Sequence, residues 1–375
     1  MGGVTSGGLF IMAGGGTGGH VIPAIAVARE VVRMGFQVLF VGTERGVENR
    51  LVPAAGFRLE KIRVGGLKRL GLTTRLSSSW RLASETAGQI ALFRDWKPAA
   101  VFSMGGYVAG PPVLAAVLRG VPVVVMEPNA VPGLTNRWIA KWVKRALINF
   151  EETAQFFPAG RTEQTGLPVR EEFFHLPEGA QAEGPSWAGK KTTSEFTVLI
   201  TGGSQGSRTL NEAARQSWPL FREAGLPVRL IHQTGSPMYA QLAREFRETG
   251  LAGDVSEFIQ DMPGAFSQAD FVVCRSGAGA VSELAAAGKP SMLVPFPFAS
   301  DQHQLKNAEA FERAGAARMS LDKDWNGKRF FDVVRELYEN RDALQAMSES
   351  ARKLAHPGAA RRAAEILVEV SGLRH

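Results

Sequence analysis

Cysteine is nearly absent from this chain: Cys274 is the single example in 375 residues. One thiol closes no internal disulfide, which fits a reducing cytoplasm, and its place in the apolar run Phe271–Cys274 marks it as a buried structural residue. Also missing is any uninterrupted apolar run approaching ~18 residues, so no segment is expected to span a membrane. No basic stretch followed by a long apolar one stands near the start, so no secretory signal is expected. Zinc-ligand spacings and aromatic–basic RNA motifs are lacking too, which leaves no metal site in view and makes nucleic acid the weakest candidate partner.

What is present describes a soluble globular enzyme, with 45% hydrophobic and 21% charged residues. The length suits two domains, each able to bury its own core. The net charge of +7, with a pI near 9.7, asks for an anionic partner such as a lipid surface or a phosphorylated substrate.

A glycine-rich turn occurs twice, each time directly after a short apolar run: LFIMAGGGTGGH (Leu9–His20) and FTVLITGGSQGS (Phe196–Ser207). Gly15, Gly16, Thr17 and Gly19 correspond to Gly202, Gly203, Ser204 and Gly206. Strand, glycine turn and helix in that order present backbone N–H groups and a helix N-terminus to an anion. Around the turns the pattern alternates. Strands are predicted over Leu9–Ala13, Gln37–Val41, Ala99–Ser103 and Val121–Met126, with a helix over Pro23–Met34. After a polar stretch rich in Gly, Ala and Ser (Glu178–Glu195), strands return at Thr197–Thr201, Val228–His232, Phe271–Cys274 and Ser291–Pro295, with helices at Asn211–Glu223 and Gly279–Ala287. Continuous apolar strands alternating with helices predict doubly wound, parallel-sheet α/β domains. The expected division is 1–168 and 169–356, with the amphipathic tail 357–375 returning to the first domain.

Several groups could carry chemistry. Gly14, Gly16 and Gly19 satisfy GxGxxG, and Glu44 follows the second strand, so an NAD(P)-dependent dehydrogenase is one reading. Against it, His20 opens the helix where a small apolar residue is usual, and the second copy lacks the acid. His20 follows a turn without shielding side chains and is a proton acceptor of suitable pKa. In Val272–Phe296 a short loop and helix N-terminus suit a phosphate, and Glu283, a turn further on, suits the vicinal hydroxyls of a ribose or, more plainly, the helix dipole. Tyr107, Glu127 and Asn129 lie in loops after strand ends, where ligands or simple turn chemistry both place such residues. Gly66–Ala83 mixes Leu72, Leu76 and Trp80 with Lys68, Arg69 and Arg75, and Lys141–Trp142 repeats the mixture. An anionic membrane surface and an ordinary amphipathic helix are both consistent with it.

Together GGTGGH (Gly15–His20), MGGYVAGP (Met104–Pro111), PNAVPGLTN (Pro128–Asn136), GGSQGS (Gly202–Ser207), VVCRSGAGAVSELAAAGKP (Val272–Pro290) and DQHQLKNA (Asp301–Ala308) resemble the MurG family of N-acetylglucosaminyltransferases. The resemblance implies a GT-B fold, two Rossmann-like domains facing across a cleft. It implies inverting transfer of N-acetylglucosamine from UDP-GlcNAc to the muramyl 4-hydroxyl of lipid I, giving lipid II for peptidoglycan, with no cofactor required. Thr17, Gly18, Gly19 and Asn129 are then expected to border the sugar, and Arg170 and Ser204 the diphosphate. Ile259, Ala278, Gly279, Ala280, Val281, Ser282, Glu283 and Gln304 are expected to hold the uridine portion. His20 becomes the general base, with Glu127 as assistant and Tyr107 on the acceptor side. The basic–apolar segments become a patch docking peripherally on the cytoplasmic face of the inner membrane, where other cell-wall synthesis proteins are expected partners. Two positions depart from the family pattern: Pro128, where Gln is usual, and Leu167, where Asn is common. A UDP-GlcNAc 2-epimerase is the rival reading within the same fold.

Overall fold

The computed structural model describes residues 7–44, 46–62, 86–177 and 195–374. The chain divides into two compact units, one running up to Val169 and resuming at Gly358, the other Arg170–Pro357. In the first unit the order is β1 (Leu9–Ala13), α1 (Gly18–Arg33), β2 (Gln37–Thr43), α2 (Glu48–Ala54), β3 (Arg58–Ile62) and a helix, α3, over 86–96. β4 (Ala100–Ser103), α4 (Gly110–Leu118), β5 (Val123–Glu127), α5 (Leu134–Ile139), β6 (Arg145–Ile148) and β7 (Thr162–Gln164) follow. The described strands form one parallel sheet in the order β3-β2-β1-β4-β5-β6-β7.

The second unit repeats the plan. It contains β8 (Phe196–Thr201), α6 (Arg208–Glu223), β9 (Val228–Gln233), α7 (Ser236–Thr249), β10 (Ala252–Ser256), α8 (Met262–Gln268) and β11 (Phe271–Cys274). Then come α9 (Ala278–Ala287), β12 (Ser291–Leu293), α10 (His303–Arg313), β13 (Arg318–Met319), α11 (Gly327–Glu339) and α12 (Arg341–Lys353). Its sheet order is β10-β9-β8-β11-β12-β13, again parallel throughout. In each unit the chain starts at a central strand, works outward, and returns to the other side. The reversal falls between β1 and β4 and between β8 and β11, and loops at such a point form the ligand crevice of an open α/β sheet.

The central strands are buried on both faces, with Phe10, Ile11 and Met12 in β1 and Val198 and Leu199 in β8 wholly out of solvent. Each such side chain contributes about 1.5–3 kcal/mol on burial, so the cores fix the strand order, and with it the turns. Cys274 lies in this core, and burial pushes its thiol up to about 12. Of the strands absent from the sequence prediction, β3, β7, β10 and β13 are edge strands and β6 lies next to an edge, and several are short and polar, where the hydrophobic pattern is weakest.

α13 (Ala359–Ser371) belongs to the first unit and packs on α1 and β4. Its buried face is Ala363, Ala364, Ile366 and Leu367. Arg362 Nε also donates to Glu163 Oε1 in β7 at 2.6 Å, but both side chains are about 40% exposed, and a pair so placed contributes about 0–1 kcal/mol. The apolar face therefore does most of the docking.

Candidate active site

α1 begins at Gly18, five residues before the predicted start at Pro23. Gly18 and Gly19 are weak helix formers and Pro23 resembles a first helical residue, which explains the misplaced boundary. The earlier start matters because it places His20 in the first turn of the helix, next to the glycine turn. His20 Nδ1 lies 3.3 Å from Gly15 O and 3.3 Å from Thr17 Oγ1. A carbonyl only accepts, so the Gly15 contact is made by an Nδ1–H, and the ring's lone pair is then on Nε2.

The same turn is held from behind by a residue the sequence reading passed over. Glu48, at the head of α2, is 0% exposed. Its Oε2 accepts from Gly16 N–H at 2.8 Å, and its Oε1 from Thr43 N–H at 2.9 Å and Thr43 Oγ1 at 2.7 Å. A Cβ on Gly15 would lie 2.5 Å from Glu48 Oε1, and one on Gly46 2.0 Å from Oε2, so the glycines make room for this carboxylate. Burial pushes the Glu48 carboxyl up, but its hydrogen bonds from Gly16 and Thr43 more than offset this and hold it below the ordinary carboxylate value. Glu44, the acid the dinucleotide reading needed, is exposed instead.

Across the sheet reversal, the loop after β4 approaches the turn. Tyr107, 40% exposed, lies against Gly16, where an added Cβ would stand 3.5 Å from the ring, and Gly106 lies beside the His20 ring. Glu127, at the end of β5, is buried and organises its own loop. Oε1 accepts from Asn129 N–H and Nδ2, and Oε2 from Gly133 N–H and, at 2.8 Å, from Asn136 Nδ2. Burial raises its pKa and these bonds pull it back only partly. With both oxygens so engaged, Glu127 shapes the Asn129 loop. The two departures from the family pattern meet at one residue: Asn149 donates through Nδ2 to Pro128 O at 3.2 Å and accepts through Oδ1 from Leu167 N–H at 3.1 Å.

In the second unit the turn after β8 is held by Gln233, the last residue of β9. Its Nε2 donates to Gly203 O at 3.0 Å and Thr201 Oγ1 at 3.1 Å, and its Oε1 accepts from Ile259 N–H at 2.8 Å. One amide thus fixes the turn that carries exposed Ser204 and the backbone of Ile259. Gly206, at φ +73°, packs so closely on Thr234 O that a Cβ would stand 1.8 Å away. Arg275, after β11, donates to Ser207 Oγ at 2.7 Å and to the Val294 and Pro295 carbonyls, and pairs with Asp322. β12 ends at Leu293 rather than Pro295: Arg275 takes the Val294 and Pro295 carbonyls, and Pro295 has no N–H to give a ladder bond.

α9 starts at Ala278 behind Gly277, with no side-chain cap on its first N–H groups. Of the candidate run, Val281 and Ser282 turn into the unit, whereas Ala278, Gly279, Ala280 and Glu283 remain partly exposed. Protein atoms enclose most of the Glu283 carboxyl although the residue keeps some solvent contact. Burial pushes it up to about 7, and the positive charge of Arg170 pulls it back only in part. Arg170 itself is exposed and lies over the Phe173 ring at 5.0 Å. Gln304, in the first turn of α10, accepts from Phe296 N–H through Oε1 at 3.0 Å and from Ser276 Oγ through its carbonyl. Asp301 and Gln302 precede it with φ of +52° and +54°, strained for non-glycine residues.

Lys141 and Trp142 are exposed, with the Lys141 ammonium 4.4 Å from the Trp142 ring and Trp138 edge-on to Trp142 at 5.5 Å. Lys68, Arg69, Leu72, Arg75, Leu76 and Trp80 lie outside the described residues, as do residues 178–194. Among the described residues no helix is long and apolar enough to cross a membrane, and no three His, Cys, Asp or Glu side chains gather as a metal-ligand set.

Residues 10–148 match the glycosyltransferase family 28 N-terminal domain and residues 197–363 its C-terminal domain. The chain is 57% identical over 362 residues to the UDP-N-acetylglucosamine–N-acetylmuramyl-(pentapeptide) pyrophosphoryl-undecaprenol N-acetylglucosamine transferase of Solibacter usitatus, covering 96% of each chain. The chain belongs to the MurG family of glycosyltransferases. The crystal structure of Acinetobacter baumannii MurG superposes with a TM-score of 0.79 at 32% identity, covering 96% of this chain and 99% of that one. The MurG-type fold, two Rossmann-like parallel-sheet domains, is thus shared by both units. A UDP-GlcNAc 2-epimerase from Neisseria meningitidis, bound to UDP-GlcNAc, aligns with a TM-score of 0.64 at 13% identity over 96% of this chain and 98% of its own, a likeness of fold alone.

Proposed function

We propose that this MurG-family glycosyltransferase moves N-acetylglucosamine from UDP-GlcNAc to the muramyl 4-hydroxyl of lipid I, forming lipid II, with inversion at the anomeric carbon. The observation that carries the chemistry is His20, whose Nδ1 contact with Gly15 O directs a lone pair to Nε2 at the head of α1. The acceptor oxygen attacks C1 as the bond from C1 to the diphosphate oxygen breaks. Nε2 takes the hydroxyl proton, and UDP departs with the bonding pair. Thr17, Gly18, Gly19 and Asn129 border the sugar in this reading, with Tyr107 on the acceptor side and Glu127 supporting the Asn129 loop. The second unit holds the nucleotide. Glu283 accepts from the ribose hydroxyls, Ala278–Ala280, Ile259 and Gln304 line the uridine portion, and Arg170, Ser204 and the α9 N-terminus meet the charge of the leaving diphosphate. This route draws on no cofactor.

The polyprenyl diphosphate acceptor calls for peripheral contact with the cytoplasmic face of the inner membrane. The basic–apolar segment Gly66–Ala83, with Lys141 and Trp142, is our candidate surface, and other cell-wall synthesis proteins are candidate partners there. Supplying UDP-GlcNAc with and without a lipid I analogue tests the reaction. Acceptor-dependent UDP release with a new disaccharide–lipid is expected. N-acetylmannosamine formed without acceptor would instead establish the epimerase reading.

A further inference from the structure

We infer that Glu48 is a positioning residue for the transfer reaction, acting on His20 through the single peptide group that joins Gly15 to Gly16. The inference rests on the reading of His20 as general base. The carbonyl of that peptide, Gly15 O, meets His20 Nδ1 at 3.3 Å, and its N–H, on Gly16, donates to Glu48 Oε2 at 2.8 Å. Imidazole, peptide and carboxylate therefore stand in series, as the acid, imidazole and hydroxyl of a hydrolase triad do, with a peptide plane inserted between acid and ring.

The physical effect has two parts. A carboxylate on the N–H draws the peptide dipole toward itself and makes Gly15 O a stronger acceptor, because hydrogen bonds in series polarise one another. A stronger acceptor holds the Nδ1–H tautomer and stabilises the imidazolium formed when Nε2 takes the acceptor's proton. No proton crosses the peptide; the negative charge stays on Glu48, and the positive charge stays on the ring until it is released to solvent. The second part is mechanical. Gly16 sits at φ +86°, and the peptide plane is pinned on one side by Glu48, which is itself anchored by two donors from Thr43. Gly15 and Gly46 leave room for no side chain larger than hydrogen beside that carboxylate.

The test is a double-mutant cycle on the full-length enzyme with UDP-GlcNAc and a lipid I analogue. Glu48→Gln keeps the shape and removes the charge. It should lower kcat by about 10–100-fold, less than the loss of the whole general base, which supplies about 10²–10⁴-fold, and leave the donor KM within about twofold. In a His20→Ala background the same change should lower kcat no further, since its route through the ring is gone. Equal losses in both backgrounds would overturn the proposal, as would a Glu48→Gln enzyme with wild-type kcat. Wild-type kcat in His20→Ala would instead overturn the reading of His20 and leave that failure distinguishable. Should Glu48→Gln unfold, Glu48→Ala supplies the second arm. Added formate should restore at least tenfold of its kcat by refilling the seat beside Gly16, and a folded Glu48→Ala enzyme indifferent to formate would reject the idea.

Discussion

The two glycine turns occupy equivalent places in equivalent sheets and are held in opposite ways. Gly16 and Gly203 correspond, and both have positive φ, +86° and +83°. In the first unit an ionised side chain from beyond β2 binds the N–H of Gly16; in the second a neutral amide at the end of β9 binds the carbonyl of Gly203, whose N–H goes to Thr201 Oγ1 at 3.1 Å. The consequence is electrostatic. A glycine turn attracts phosphate because its N–H groups converge without a counter-charge. Glu48 supplies that counter-charge internally, which makes the first turn a poorer seat for an anion and, in the reaction we propose, leaves it to position His20. Gln233 adds no charge, so the second turn stays suited to a diphosphate. In the reaction we propose, the charge of one supporting side chain is what sets the two turns to different tasks.

The sharpest way to break this comparison is to remove the histidine the first turn positions. His20→Ala should lower kcat by about 10²–10⁴-fold with little change in donor KM, measured as acceptor-dependent UDP release. Equal loss in kcat and affinity would make the first turn a binding element like the second. The matching change in the second unit is Gln233→Ala. It frees the Gly203 carbonyl, which is exposed, and the Ile259 N–H, which is buried, and a buried polar group left unpaired costs about 1–3 kcal/mol. The expected outcome is a donor KM raised about tenfold or more and a lowered melting temperature, with kcat at saturating donor largely kept. A fall in kcat alone would show that the second turn does more than bind.

Much of this contrast was legible in the sequence and part of it was not. The duplicated turn and the apolar runs placed β1, β2, β4, β8, β9 and β11, because a buried parallel strand is written locally in consecutive apolar residues. The boundary of α1 was missed because Gly18 and Gly19 enter the helix for positional reasons that propensity does not record. Glu48 was missed for a deeper reason. Spacing from the end of β2 pointed to Glu44, but the contact that matters joins residues 32 apart and depends on which face of α2 turns inward. The available hint was glycine at 42 and 46 ahead of an acid at 48, which only a packing argument explains. Gln233 ends β9 in the copy that lacks the acid, and its use as a bridge between two loops appears only in three dimensions.

The finest discrimination comes from pH, through Glu283. Its ordinary value of 4.5 is the reference for the unfolded chain, and burial raises the folded value to about 7, with Arg170 opposing. Between these values the folded protein binds a proton that the unfolded chain does not. The contribution to stability is therefore fully present below 4.5 and is lost as pH rises from there through 7. Donor binding has the opposite sign, because the ribose hydroxyls need the ionised carboxylate as acceptor. The donor KM should rise a few-fold as pH falls from 8 to 6, while the melting temperature of the ligand-free enzyme rises over the same interval. Glu283→Gln should flatten both trends and raise the donor KM at pH 8. In the first unit Glu48 is held below the ordinary carboxylate value and stays ionised across this window. Initial rates of the wild-type enzyme at pH 6 and 8, with donor varied at saturating acceptor, are enough to decide. A donor KM indifferent to pH would remove Glu283 from the ribose, and the difference between the two units would then rest on the turns alone.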